Sequence, residues 1–138
     1  MNVFDSTILV AALVESEYHH SACRALVTAE PFGVWTHDFV ETFNTLTSSK
    51  IKPRPSASNV AKVLRHSIAA RAAILRLPEE QMLTAFDEAE SRGVRGGAIF
   101  DYLHLATARH HKAERIYTLN SSHFESFRRG GDPTIAHP

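Results

Sequence analysis

Short runs of strand-forming residues alternate with helix-patterned segments along this 138-residue chain, and that alternation limits the fold more than any single residue does. The strand candidates are Val3–Asp5, Gly33–Thr36, Ala73–Leu77, Arg115–Leu119 and Thr134–Ala136. Between them, apolar side chains recur at helical spacing. They predict helices over Ser6 to about Ser16, Ser21–Ala29, Phe39–Ser48 with Asp38 as its cap, and Ala98–Lys112. Further helices open at Ser58 or Asn59, after Pro78, and at Ser121 or Ser122. Strands separated by helices predict an α/β sandwich on a mostly parallel sheet. No internal repeat or low-complexity tract interrupts the chain, so residues 1–138 are expected to form one domain.

Composition narrows the setting. The formal charge is zero with histidines neutral, so no overall basic excess marks a nucleic-acid binder. Basic residues do cluster locally, at Lys50, Lys52 and Arg54, at Arg92 and Arg95, and at Arg128 and Arg129. Cys23 is the one cysteine, so no internal disulfide can form, which fits a reducing compartment. The longest apolar run, Ile8–Val14, falls far short of the ~20 residues that span a bilayer. No leader pattern opens the chain. A cytoplasmic protein with no membrane segment is expected.

In parallel α/β sheets, ligands sit outside the carboxyl ends of the strands. Asp5 ends the first strand candidate, and Asn120 follows the strand that begins at Arg115. Glu41 and Asp101 fall early in two of the helices. Strand ends and the first turns of the following helices share one edge of such a sheet, so these side chains can converge. Carboxylates crowded together repel one another unless a cation joins them. Hard divalent cations such as Mg²⁺ and Mn²⁺ prefer oxygen ligands and keep several waters. Taken singly, each residue has an ordinary explanation. Asp5 caps a helix, Asp101 complements a helix dipole, Glu41 faces solvent and Asn120 makes a turn. The pattern lies in their common edge.

Three segments, FDSTILVAAL, HDFVETFNTL and GGAIFDYLHLATARHHKAERIYTLNSSHF, resemble the PIN domain in order and spacing. More narrowly, they resemble the VapC-type ribonuclease toxins of toxin–antitoxin pairs. The resemblance covers essentially the whole chain. It implies a three-layer sandwich around a twisted, mostly parallel sheet, and an acidic pocket that binds Mg²⁺ or Mn²⁺. Asp5, Glu41 and Asp101 match the family's three most regular acids, and Asn120 matches a fourth acidic position that is often Asp and also Asn. Ser6 and Thr118 match hydroxyls that support the site. The implied activity is metal-dependent RNA hydrolysis by the toxin of such a pair, held off by a small antitoxin. With Asn120 in place of an acid, one tightly held cation is expected rather than two.

Other residues carry weaker signals. His104 lies one turn after Asp101 and reads as a structural histidine that could also meet a phosphate. Arg92 and Arg95 precede Asp101 closely enough to border the pocket and meet RNA or antitoxin, or they are solvated surface charge. Trp35 and the phenylalanines at 39, 43, 86 and 124 sit at core spacing. Zinc is not expected, because one cysteine and no HExxH or HxH spacing offer it nothing. Apolar faces on the early helices suit a homodimer or a partner helix. Two alternatives stand beside the nuclease. One is a PIN-like RNA- or protein-binding module with a weakened acidic site, favoured by Asn120. The other is a phosphoacceptor receiver domain, disfavoured because Asp5 has no acidic neighbour and the strand after Ala73 runs into Pro78.

Overall fold

The computed structural model describes residues 1–29 and 31–138. Five short strands form one sheet: β1 (Asn2–Phe4), β2 (Phe32–Trp35), β3 (Ala72–Leu75), β4 (Arg115–Tyr117) and β5 (Thr134–Ala136). Their order is β3-β2-β1-β4-β5, and each described pairing is parallel. The expected α/β class therefore holds, with the sheet parallel throughout. The chain runs outward from β1 through β2 to β3, then returns to add β4 and β5 on the other side. This reversal leaves a topological switch point between β1 and β4, where parallel sheets open a crevice.

The helices are α1 (Ser6–Leu13), α2 (His20–Ala29), α3 (Thr36–Thr47), α4 (Ala57–Val63), α5 (Glu79–Glu88), α6 (Ala98–His110) and α7 (Ser121–Glu125). The chain after α4 continues as a π-helical segment, Leu64–Ala69, which periodicity alone did not reveal. Strand alternation divides the core between two faces. Phe4, Phe32 and Val34 pack with Ile8, Cys23, Leu46 and Val60 of the α1–α4 layer. Phe4 stacks on Phe32 at 4.7 Å. Val3 and Ile116 point the other way, onto Leu105 and Phe124 of α6 and α7. A third cluster of Trp35, Ala85, Tyr102 and Leu103 joins α5 to α6. Burying each large apolar side chain stabilises by about 1.5–3 kcal/mol, so both layers hold the sheet.

Several boundaries shift in ways that bear on the site. β1 stops at Phe4, one residue early, because Asp5, whose N–H still donates to the Tyr117 carbonyl, turns the chain to cap α1. α1 ends at Leu13, where the chain turns extended at Val14. α3 begins at Thr36 with Trp35 as its cap, so Asp38 lies inside the first turn and is not the cap. The inward face of α3 is Asp38, Thr42 and Leu46, and Phe43 is 37% exposed. Phe86, also expected in the core, is 46% exposed. Gly96 takes φ +55, a left-handed conformation that glycine tolerates, and turns the chain into α6. Among the described residues, no helix is long and apolar enough to cross a membrane.

Candidate active site

α1, α3 and α6 all start at the carboxyl edge of the sheet. The cavity between them is lined by Asp5, Ser6, Thr7, Trp35, Asp38, Glu41, Phe100, Asp101, His104, Asn120 and Phe124. Its volume is about 120 Å³. That is room for a small ion with several waters. The structure thus brings Asp5, Glu41, Asp101 and Asn120 to one cavity, with Ser6 and His104 beside them. Thr118 reaches it through Asp5. Arg92 and Arg95 are exposed and do not line it; Arg92 lies near Glu88 and Tyr102.

Asp5 is held more firmly than any other acid here. Its Oδ1 accepts the backbone N–H groups of Thr7 at 3.0 Å and Ile8 at 3.2 Å, and the Thr7 hydroxyl at 2.6 Å. Its Oδ2 accepts the Thr118 hydroxyl at 2.6 Å. The capping explanation for Asp5 is therefore real, and it coexists with a place in the cavity. Thr7 also accepts the Leu119 N–H at 2.9 Å, and Thr118 accepts the Asn120 N–H at 2.9 Å. These bonds tie the end of β1 to the end of β4 across the switch point. Burial nevertheless lifts the Asp5 carboxyl from its ordinary 3.8 to about 6, against the opposing pull of the Thr118 and Thr7 hydrogen bonds.

Glu41 accepts the Ser6 hydroxyl through Oε2 at 2.9 Å and lies 3.4 Å from His37 Nε2 through Oε1. Asp101 lies 3.5 Å from His123 Nδ1. Burial raises the Asp101 carboxyl; His123 opposes the rise and Glu41 adds to it. His37 stacks on Phe100 at 4.5 Å, and Phe100 is 43% exposed at the cavity mouth.

Asp38 was missed as a lining residue. It is 1% exposed, and its Oδ1 accepts the Ser6 N–H at 3.1 Å. Among the described residues, its Oδ2 has no hydrogen-bond partner. Burial, then the charges of Asp5 and Glu41, push its carboxyl well above the usual range. His104 Nδ1 stands 3.5 Å away. This contact is not an ion pair, because burial and the neighbouring His37 lower the His104 imidazole to about 3 and leave it neutral. At 3.5 Å it is also too long for a good hydrogen bond. One signal was available: Asp38 and Glu41 are three residues apart, neighbours on a helical face. His37, Phe100 and His123 carried no comparable pattern.

The donor set is oxygen-rich and acidic, with one orphaned buried carboxylate oxygen, and this suits a hard divalent cation. As the side chains stand, no three Asp, Glu, His or Cys groups among the described residues gather tightly enough to hold one ion. The acids share the cavity without meeting at a point, as mutual repulsion requires of carboxylates with no cation between them.

A family model of the PIN domain matches residues 3–129. Solved structures share the fold at low identity. The Mycobacterium tuberculosis toxin VapC20, described as cleaving the sarcin-ricin loop, aligns with TM-score 0.72 and 15% identity, covering 96% of this chain and 100% of that one. VapBC2 of Rickettsia felis, bound to a promoter DNA fragment, aligns with TM-score 0.65 and 15% identity, covering 99% and 98%. FitAcB from Neisseria gonorrhoeae aligns with TM-score 0.64 and 15% identity, covering 98% and 96%. No curated protein sequence matches the chain.

Proposed function

The chain belongs to the PIN-domain family, and on that premise we propose that it is a one-domain, cytoplasmic, divalent-cation-dependent endoribonuclease, the toxin of a toxin–antitoxin pair. The observation that carries the reading is the cavity in which Asp5, Glu41, Asp101 and Asn120 face one another at the switch point of the sheet. The carboxylates of Asp5, Glu41 and Asp101 would hold Mg²⁺ or Mn²⁺, with the Asn120 side-chain oxygen as a neutral contributor. When bound, the cation supplies Lewis acidity for phosphodiester hydrolysis and lowers the pKa of water. Ser6 orients Glu41, and Thr118 orients Asp5. The N-termini of α1, α3 and α6 point their positive dipole ends at the phosphate's negative charge. The RNA phosphate reaches the cavity from its mouth, beside Phe100.

An apolar groove of about 390 Å³, lined by Leu13, Val14, Leu46, Pro53, Val60 and Val63 among others, suits an apolar segment of the antitoxin. Exposed Val40 and Phe43 on α3 and Leu83 and Phe86 on α5 suit a homodimer.

A second reading, a PIN-like module that binds RNA or protein without turnover, is favoured by Asn120 and by carboxylates that do not meet at a point. One experiment separates the two. Purified wild type is expected to cut RNA only with Mg²⁺ or Mn²⁺ present and to arrest growth when expressed. Asp101→Asn is expected to do neither. RNA binding without cleavage by the wild type would establish the module instead; equal cleavage by the variant would place the chemistry elsewhere.

A further inference from the structure

The bond to the start of α1 explains part of Asp38 and leaves its charge unexplained. Its Oδ1 accepts the Ser6 N–H, a task that the side-chain oxygen of asparagine would perform with no charge. Its Oδ2 is buried and unpartnered in the wall of the acidic cavity. A buried acceptor without a donor is destabilising, and more so when ionised. Natural cores hold few such atoms, and each calls for a cause.

Hydrogen-bond capacity points to the cause. A carboxylate offers about four lone-pair sites. Asp5 accepts four hydrogen bonds, three of them on Oδ1, and keeps one acceptor position open on Oδ2. Glu41 accepts the Ser6 hydroxyl. Asp38 accepts the Ser6 N–H on Oδ1, with the Trp35 backbone also close, and among the described residues Oδ2 has no donor, so this buried acid keeps acceptor capacity to spare. His104, packed between Trp35 at 5.7 Å and Phe124 at 5.4 Å, stands 3.5 Å from Oδ2.

We propose that Asp38 is a cation-holding carboxylate of this cavity, presenting Oδ2 to a divalent ion or to one of its waters, together with Glu41 and Asp101. The proposal rests on the reading of the cavity as a cation site. It changes the division of labour there. Asp5 faces the cation and also ties β1 to β4, and α3 contributes two acids, Asp38 and Glu41. The Asp38 carboxylate also supplies negative charge that Asn120, in the same cavity, does not.

The test is Mn²⁺ binding to the full chain, read by calorimetry and by electron paramagnetic resonance, with melting curves of the cation-free protein. Asp38→Asn keeps the acceptor for Ser6 and removes the charge. It is expected to weaken Mn²⁺ binding by about tenfold or more and to melt no lower than wild type without cation. Adding Asn120→Asp to Asp38→Asn is expected to restore much of the affinity, because a carboxylate returns to the cavity; a folding defect would not be repaired this way. If wild type binds Mn²⁺, Asp101→Asn loses binding, and Asp38→Asn binds like wild type, then Asp38 only holds the start of α1 and the proposal falls alone. If wild type binds no Mn²⁺, the cation reading and the proposal fall together.

Discussion

Thr118 donates its hydroxyl to Asp5 Oδ2 at 2.6 Å, joining residues 113 positions apart in the chain. Both are buried, and each follows one of the two strands that flank the switch point. Through this bond the end of β4 sets the orientation of the carboxylate at the end of β1. The same Thr118 hydroxyl accepts the Asn120 N–H, so it also fixes the turn that carries Asn120.

Thr118→Val keeps the shape and removes the hydroxyl. The Asp5 carboxylate then loses its Oδ2 donor, and the Asn120 N–H loses its acceptor. A stability loss of about 1–3 kcal/mol is expected in urea denaturation, together with weaker Mn²⁺ binding. Thr118→Ser should recover most of both. A Val variant as stable and as well bound as wild type would show that this bond orients nothing.

Ser6→Ala removes the hydroxyl that holds Glu41 Oε2 and leaves intact the Ser6 N–H that Asp38 accepts. Ser6 is only partly buried, so the melting temperature should barely change. RNA cleavage should fall by about tenfold, the low end of what misplaced supporting groups cost at metal sites. The check is single-turnover cleavage at saturating Mg²⁺; an unchanged rate would free Glu41 from dependence on Ser6.

The pH dependence of stability should carry the mark of Asp5. Its carboxyl is raised from 3.8 to about 6 by burial, so the folded protein holds a proton that the unfolded chain has released. The stabilisation from that proton is complete below pH 3.8 and is lost as pH rises through about 6. The loss amounts to about 3 kcal/mol. Asp38 and Asp101 act in the same sense, and the neutral His104 acts in the opposite one. Comparing Asp5→Asn with wild type isolates the one residue. Without divalent cation, the melting temperature of the variant relative to wild type should climb between about pH 4 and about pH 7. A difference that stays flat across that range would mean that Asp5 is ionised throughout.

Tyr102→Phe probes the far side of α6. Its hydroxyl donates to Glu88 Oε2 at 2.7 Å and holds that carboxylate below its usual range. Losing the bond should lower stability by about 1 kcal/mol, with RNA cleavage and Mn²⁺ affinity unchanged. Loss of cleavage in a variant that still binds Mn²⁺ would show that the α5–α6 contact governs the cavity at a distance.

Much of this architecture could be read from residue order. The strands around Val3, Val34, Ile74, Ile116 and Ile135 all form, because short apolar runs between turn residues have little alternative in a chain of this pattern. The common edge of Asp5, Glu41, Asp101 and Asn120 followed from parallel topology alone. The inward face of α3 was less accessible. Phe39, Phe43 and Leu46 satisfy helical spacing, and so do Asp38, Thr42 and Leu46; a small rotation about the axis exchanges them. Amphipathicity favours the aromatic set, yet the polar set is inside.

Local pattern thus settled which segments become strands and helices and which edge of the sheet collects the acids, because strand and helix periods are written in neighbouring residues. Tertiary packing alone settled which α3 side chains turn inward, that Asp5 accepts four hydrogen bonds, and that Asp38 Oδ2 has no donor among the described residues. Those outcomes depend on partners such as Thr118 and His104, which the chain delivers from far away and whose geometry no local spacing encodes.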